Sequence, residues 1–410
     1  MLQRLIHSAR VNVFESARFY YWMLIVLISY FLLNRFLQKL YFVYLDNRWI
    51  ELKVGEGILF GLTYVVILIS AWFLRKKVPG YVFWCWGGLA LIFFINEFRF
   101  AWGNADYRLV VSLTKTQGYY TAKFTMPLLF WGVWSVLKEA NHYGLVFITQ
   151  LQMFLTMNAI FIIAGAAFGV SAFESYPLSG RWGYSGFLWH LSFHSIAYGV
   201  FLLYLLEQKK KAWGFILLFS LALLLLGQKA GLLYVLLIFT LGVVTNLYFQ
   251  VGIIASGVAL VGSAPLWLPY VVAISPFWEN IYNKHGVWGV LMSLRNENIE
   301  NIWEIISPLL SFFDVMFGGA IRFPMRVEMM PFDILTFFGI IGLFIFILLI
   351  FKIVPNWKWS IPILVACFGG GIYESPLGML LFFVILALVK QCKHSYGQYS
   401  KPKVFSTFPS

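Results

Sequence analysis

Long apolar runs separated by short charged breaks set the pattern of this chain. A helix needs roughly 20 mainly apolar residues to cross the hydrocarbon of a bilayer. About twelve runs approach that length: 19–36, 57–74, 80–96, 119–137, 143–169, 188–206, 212–227, 230–248, 250–272, 332–351, 359–372 and 375–390. The pattern therefore predicts an all-α, polytopic integral membrane protein with about twelve transmembrane helices, built as one domain over residues 1–410. The stretch 212–248 is too long for one span, and its polar interruption is Gln228-Lys229, so a very tight turn is expected there. The last two runs flank Tyr373-Glu374-Ser375-Pro376 and read either as two crossings or as a re-entrant hairpin; the basic tail 391–410 fits two crossings better.

One break is unlike the others. Residues 274–331 form an aromatic-rich, charged insert of more than fifty residues where a short turn would suffice. Within it, 296–313 has helical spacing, with Ile299, Ile302, Trp303, Ile306 and Leu310 on one face, as expected of a helix lying along a membrane surface. Gly318-Gly319 then breaks the helix, ahead of Pro324.

Composition agrees: 61% of residues are apolar and 11% charged, against roughly 25% charged in soluble domains. The basic start MLQRLIHSARVNVFESAR is not followed by a short apolar core with a cleavage site, so no cleavable signal peptide is expected. Arg75-Lys76-Lys77 and Lys209-Lys210-Lys211 orient the chain with both termini and the tail 391–410 inside. This frame puts 16 of the 30 basic and 3 of the 17 acidic residues inside, so the whole charge of +13 falls there. The outer side keeps 14 basic residues against the usual bias, and holding an anion is the plainest work for them. Topology accounts for the positive charge, and no nucleic-acid partner is expected. Cys85, Cys367 and Cys392 have spacing that supports neither a metal site nor a disulfide framework, and read as small hydrophobes.

Several chemistries lack their motifs. No phosphate loop ends in Gly-Lys-Ser/Thr, no Asp-x-Asp pair is present, and neither the zinc-protease nor the serine-hydrolase signature occurs. No metal and no cofactor are expected. What remains is cations and a carboxylate at the outer interface. Arg322 and Arg326, four apart, share a helix face and read as a pair bridged by an anion or as two solvated arginines. Glu328 precedes a span by a few residues, so it reads as a carboxyl tuned toward general-base work or as an ion-pair partner of those arginines. Asp333 in the next helix's first turn reads as a cap. Lys229 sits at or just below the outer surface, and a charge at that depth is a functional hypothesis, with a snorkelling lysine as its alternative. His190 and His194 lie four apart with no evident third ligand and read as helix-packing residues. Glu97, Arg99, Asp106 and Arg108, and likewise Asp46, Arg48 and Glu51, read as solvated pair clusters, although a lone acid on the first outer loop could serve a membrane glycosyltransferase.

Four motifs over roughly 165–345, in this order, resemble the O-antigen polymerase and ligase superfamily. They are the loop SGRWGYSG with Arg181, the turn GQKAGLLYVLL with Lys229, Arg295 followed by Trp303 and Phe317-Gly318-Gly319, and EMMPFDILTFFGIIGL at the next span. In the ligases a His stands eleven residues before the first Gly of G-x-x-G; counting back from Gly339 gives Glu328, which looks more like the polymerases. The resemblance implies a bacterial inner-membrane glycosyltransferase of the C-type plan with its large loop, surface helices and active site on the periplasmic face. It implies a metal-independent reaction on oligosaccharide carried by undecaprenyl diphosphate. An acceptor hydroxyl attacks the donor's anomeric carbon and the lipid diphosphate leaves. Lys229 and Arg295 would hold the diphosphate, with Arg322, Arg181 and Arg326 as further candidates, and Glu328 would be the base. A chain-length co-polymerase is a candidate partner. A ligase acting on lipid A core or protein, and a flippase of lipid-linked sugars, are the rival readings.

Overall fold

A computed structural model describes residues 15–46, 53–103, 107–177, 181–188, 191–208, 212–243, 247–273, 275–307, 311–319, 329–369, 378 and 380–389. Among these residues helix is the only regular structure, apart from two isolated bridges, Ser16 to Lys138 and Glu174 to Tyr184. The helices are α1 (Ala17–Tyr41), α2 (Lys53–Phe73), α3 (Gly80–Gly103), α4 (Tyr107–Trp134), α5 (Ala140–Phe168), α6 (Leu191–Glu207), α7 (Trp213–Leu225), α8 (Lys229–Leu237), α9 (Leu247–Gly262), α10 (Ala264–Val272), α11 (Pro276–Met292), α12 (Arg295–Ile306), α13 (Phe312–Phe317), α14 (Met330–Ile353), α15 (Ile361–Gly369) and a last helix α16, Leu380–Val389.

Four of the helical stretches are long and apolar enough to cross a membrane: Ala17–Tyr44, Gly80–Gly103, Ala140–Phe168 and Met330–Ile353. Shorter apolar helices stand at most of the other expected spans. Among the described residues the protein is thus all-helical, with several helices long and apolar enough to cross a membrane. Two expected spans differ in form. The run 250–272 is not one straight helix: α9 and α10 meet at 71° around Ser263. Pro265 lacks the N–H that would continue the ladder across this point, so a new helix starts there. The run 119–137 belongs to a helix that begins at Tyr107. Its many Tyr, Thr, Gly and Gln residues, with Lys115 and Lys123, leave it too polar to count among the crossing helices, and Lys123 lies 4.4 Å from the ring centre of Tyr119.

The core runs through α1, α4, α5, α6, α7, α8 and the last helices, with Tyr20, Trp131, Trp134, Tyr198, Tyr234 and Trp359 fully buried. Small residues bring helices together as membrane packing favours: Gly199 leaves room for the Tyr234 ring, and Gly231 lies against the Leu223 carbonyl. This draws α7 and α8 into the tight hairpin expected around Gln228-Lys229. Polar contacts gather at two ends. At one, Lys77 pairs with Glu15 at 2.6 Å and Asn356 donates to Glu207 at 2.6 Å. At the other, Asn96 and Arg99 of α3, the loop after α5 and Lys229 after α7 meet described residues of the insert.

Candidate functional site

The loop after α5 folds back as a short hairpin. Its bridge pairs Glu174 with Tyr184, the Ser175 N–H donates to the Gly183 carbonyl at 2.8 Å, and the Ser185 N–H donates to Phe173 at 2.7 Å. The hairpin sits on the C-terminal end of α7, whose last carbonyls lack intrahelical partners. The Ser175 hydroxyl donates to the Leu226 carbonyl at 2.9 Å and the Tyr184 N–H to Leu225 at 2.8 Å. Glycines make this approach feasible. Gly227 has φ +68°, and a Cβ there would lie 2.7 Å from the Gly183 Cα. The motifs SGRWGYSG and GQKAG are therefore two halves of one backbone crossing.

That crossing delivers Arg181 and Lys229 to the same place. The Arg181 guanidinium lies 3.9 Å from the Tyr176 ring centre and 5.1 Å from that of Trp278, and Nη2 donates to the Gly227 carbonyl at 3.5 Å. The Lys229 ammonium sits 4.5 Å from the Trp278 ring centre, so one indole contacts both cations. Lys229 also donates to the Val290 carbonyl and, at 3.1 Å, to that of Leu291. Those carbonyls end α11, where the helix dipole is negative and a cation is favoured. Ser293 and Leu294 then take left-handed conformations, unusual for residues with side chains, and turn the chain into α12. Arg295 opens that helix, and its Nη1 donates back to the Met292 carbonyl at 3.4 Å.

Lys229, Arg181 and Arg295 thus converge from three separate segments. Burial pushes the Lys229 amine down to about 7, and Arg181 and then Arg295 push the same way. Burial also lowers Arg181; Tyr176 opposes that and Arg295 adds to it. The Tyr176 hydroxyl is raised by burial against the pull of both arginines. Like charges this close favour an anion between them. Trp278 and Tyr176 are parts of the site that sequence reasoning missed. Their rings are no more distinctive in the sequence than those of any other among its 17 Trp and 22 Tyr residues.

The remaining expected site residues fall elsewhere. Glu328, Arg322 and Arg326 lie outside the described residues, as do His190, Asp106, Arg48, Glu51 and Cys392. The segment leading to them is anchored. Gly318-Gly319 docks where α14 kinks at Gly339 (φ +65°): the Gly319 N–H donates to Thr336 at 2.9 Å, and Asn96 Nδ2 donates to the carbonyls of Phe317 at 2.8 Å and Phe337 at 3.3 Å. Asp333 is buried in the first turn of α14, while the capping position is held by Met329, which makes no side-chain capping bond. His194 is buried, its ring near-parallel to that of Tyr198 at 6.5 Å.

One expectation is corrected. Glu97 and Arg99 do not form a solvated cluster: Glu97 is buried and accepts from Thr114, and Arg99 reaches into the insert to pair with Asp314 at 3.1 Å. Burial works to raise the Asp314 carboxyl, but hydrogen bonds from Ser311 and Arg99 hold it below its ordinary value. On α12, Ile302 is buried with Met329 against Ile299 and Met292, while Trp303, one residue and 100° further on, is 61% exposed, open to the surroundings of the protein.

No family model matches the sequence, and no curated protein or solved structure is significantly similar to it.

Proposed function

We propose that the chain is a bacterial inner-membrane polysaccharide polymerase that joins repeat units carried on undecaprenyl diphosphate. The observation that supports this reading is the convergence of Lys229, Arg181 and Arg295 around Trp278, in a buried setting where, among the described residues, the charged groups acting on Lys229 are both cations. In this reading the chain crosses the membrane about twelve times with both termini in the cytoplasm. The end of the bundle that carries the cations then faces the periplasm. The diphosphate of a lipid-linked donor lies among the three cations, its guanidinium contacts bidentate where geometry allows. As the bond to the anomeric carbon breaks, negative charge builds on the leaving diphosphate. Preorganised cations stabilise that charge, and losing one such donor costs on the order of 3 kcal/mol. Glu328 is the proposed base for the acceptor hydroxyl, and Arg322 and Arg326 are further diphosphate ligands. No nucleotide is consumed, because the lipid diphosphate already supplies the leaving group.

The test is direct. Purified protein in lipid, given lipid-linked repeat units, should make longer glycans without nucleotide or added metal, and Lys229→Ala, Arg181→Ala or Arg295→Ala should slow elongation by about 100-fold. Full elongation by all three variants removes the site assignment. Transfer of the glycan only to lipid A core points to a ligase, and movement of lipid-linked sugar across vesicles without a new glycosidic bond points to a flippase.

A further inference from the structure

The first helix contributes a cation that belongs to neither the proposed ligands nor the lipid-facing surface. Lys39, near the end of α1, is fully buried, a rare state for a lysine unless its charge is satisfied. Its ammonium donates to the Ser185 hydroxyl at 2.9 Å and to the Gly186 carbonyl at 2.9 Å. Both residues stand at the closing end of the hairpin that bears Arg181. Ser185 passes the contact across the hairpin, because its hydroxyl donates to the Glu174 carbonyl at 3.3 Å while its N–H donates to Phe173. Next to this, Gly186 takes φ +66° against Asn158, whose side-chain oxygen accepts from the Phe187 N–H at 3.1 Å.

A two-stranded hairpin of this size is not stable by itself in isolation. The carbonyls of α7 hold one side of it, and Asn158 holds the chain where it leaves. Lys39 fastens the second strand directly and the first through the Ser185 hydroxyl, which bridges to the Glu174 carbonyl. We infer that Lys39 is a positioning residue: it sets where the hairpin presents Arg181 to the anion site. This rests on the reading above in which that site takes a lipid diphosphate. A lysine suits the task because one ammonium supplies three donors on a long apolar stem, enough to bind a hydroxyl and a carbonyl from inside the bundle.

The experiment uses the full chain in lipid nanodiscs, with the native cysteines replaced and a nitroxide attached through W182C, at an exposed position beside Arg181. In the otherwise unchanged chain the label should be immobile. Lys39→Met keeps the stem and removes the donors, and should add a mobile spectral component. In parallel, affinity for farnesyl diphosphate should fall by about tenfold in Lys39→Met, the loss of roughly one oriented contact. It should fall no further when Arg181→Ala is added, since both changes act through one residue. Ser185→Ala, which removes only one acceptor, should shift both readouts the same way by less, and it decides the matter if Lys39→Met does not fold. An immobile label in both variants, or additive losses in the double variant, overturns the inference. A mobile label in Lys39→Met together with no diphosphate binding by the unchanged chain leaves Lys39 as the hairpin's anchor and removes the proposed function instead.

Discussion

Lys229 should make diphosphate affinity fall as the pH rises. Its amine is pushed down to about 7 by burial first and then by Arg181 and Arg295. A diphosphate among the three cations favours the protonated amine, so above about pH 7 binding takes up a proton. The diphosphate's own last proton leaves near pH ~6, so above about pH 7.5 the ligand no longer changes charge. For a group titrating near 7, about a quarter is protonated at pH 7.5 and about a hundredth at pH 9, a ratio of about 25 or about 2 kcal/mol. Affinity for farnesyl diphosphate, titrated calorimetrically at constant ionic strength, should therefore weaken by about 25-fold between these values. Stability without ligand should move oppositely. Because the folded-state value is depressed below the ordinary 10.5, the unfolded chain binds more protons between about 7 and 10.5, and stability rises with pH across that window. Lys229→Met should remove both slopes. A flat affinity in the unchanged chain, or a slope that survives Lys229→Met, refutes the placement of Lys229 at the anion.

Three other outcomes follow from the same structure. Gly227→Ala puts a Cβ 2.7 Å from the Gly183 Cα at φ +68°, so it should cost well over the ~1 kcal/mol of backbone strain alone and lower the thermal midpoint in detergent by several degrees; an unchanged midpoint would mean the two motifs do not cross as described. Asn96→Leu strips the carbonyls of Phe317 and Phe337 of a buried donor and should destabilise by about 1–3 kcal/mol in denaturant titration, whereas a neutral result would detach the Gly318-Gly319 bend from the kink in α14. Trp278→Ala removes the ring shared by Lys229 and Arg181 and should weaken diphosphate affinity by about tenfold, from roughly 0.5–2 kcal/mol of cation–π attraction, while Trp278→Phe should keep most of it; equal losses in the two variants would rule out the ring contact as the cause.

What the sequence made legible divides along a physical line. Apolar runs announce helices because burial in lipid requires them, and the tight turn at Gln228-Lys229 followed from length alone. Arg181, Lys229 and Arg295 were legible because a charge in such surroundings must be satisfied somewhere, and the sequence has few of them. The partners that satisfy them were not. Trp278 is one indole among 17, and its contact with two cations depends on α11 crossing beneath a hairpin about a hundred residues earlier in the chain. The carbonyls of Val290 and Leu291 carry no sequence signal at all, since every residue has one. Gly318-Gly319 was readable as a break, but its seat in the Gly339 kink is a pairing between two stretches some twenty residues apart, each of which alone looks like an ordinary glycine turn. Within α12, helical spacing marks Ile302 and Trp303 as one apolar arc but does not say which of them packs on the protein and which stays exposed. Lys39 combines both difficulties. Standing just past the first apolar run it resembles any flanking lysine, and only the return of Ser185 and Gly186 to the same spot converts it into a buried anchor. The site is therefore two layers deep: cations that the sequence exposes by their rarity, and a scaffold of glycines, carbonyls and one lysine whose roles exist only once distant segments meet.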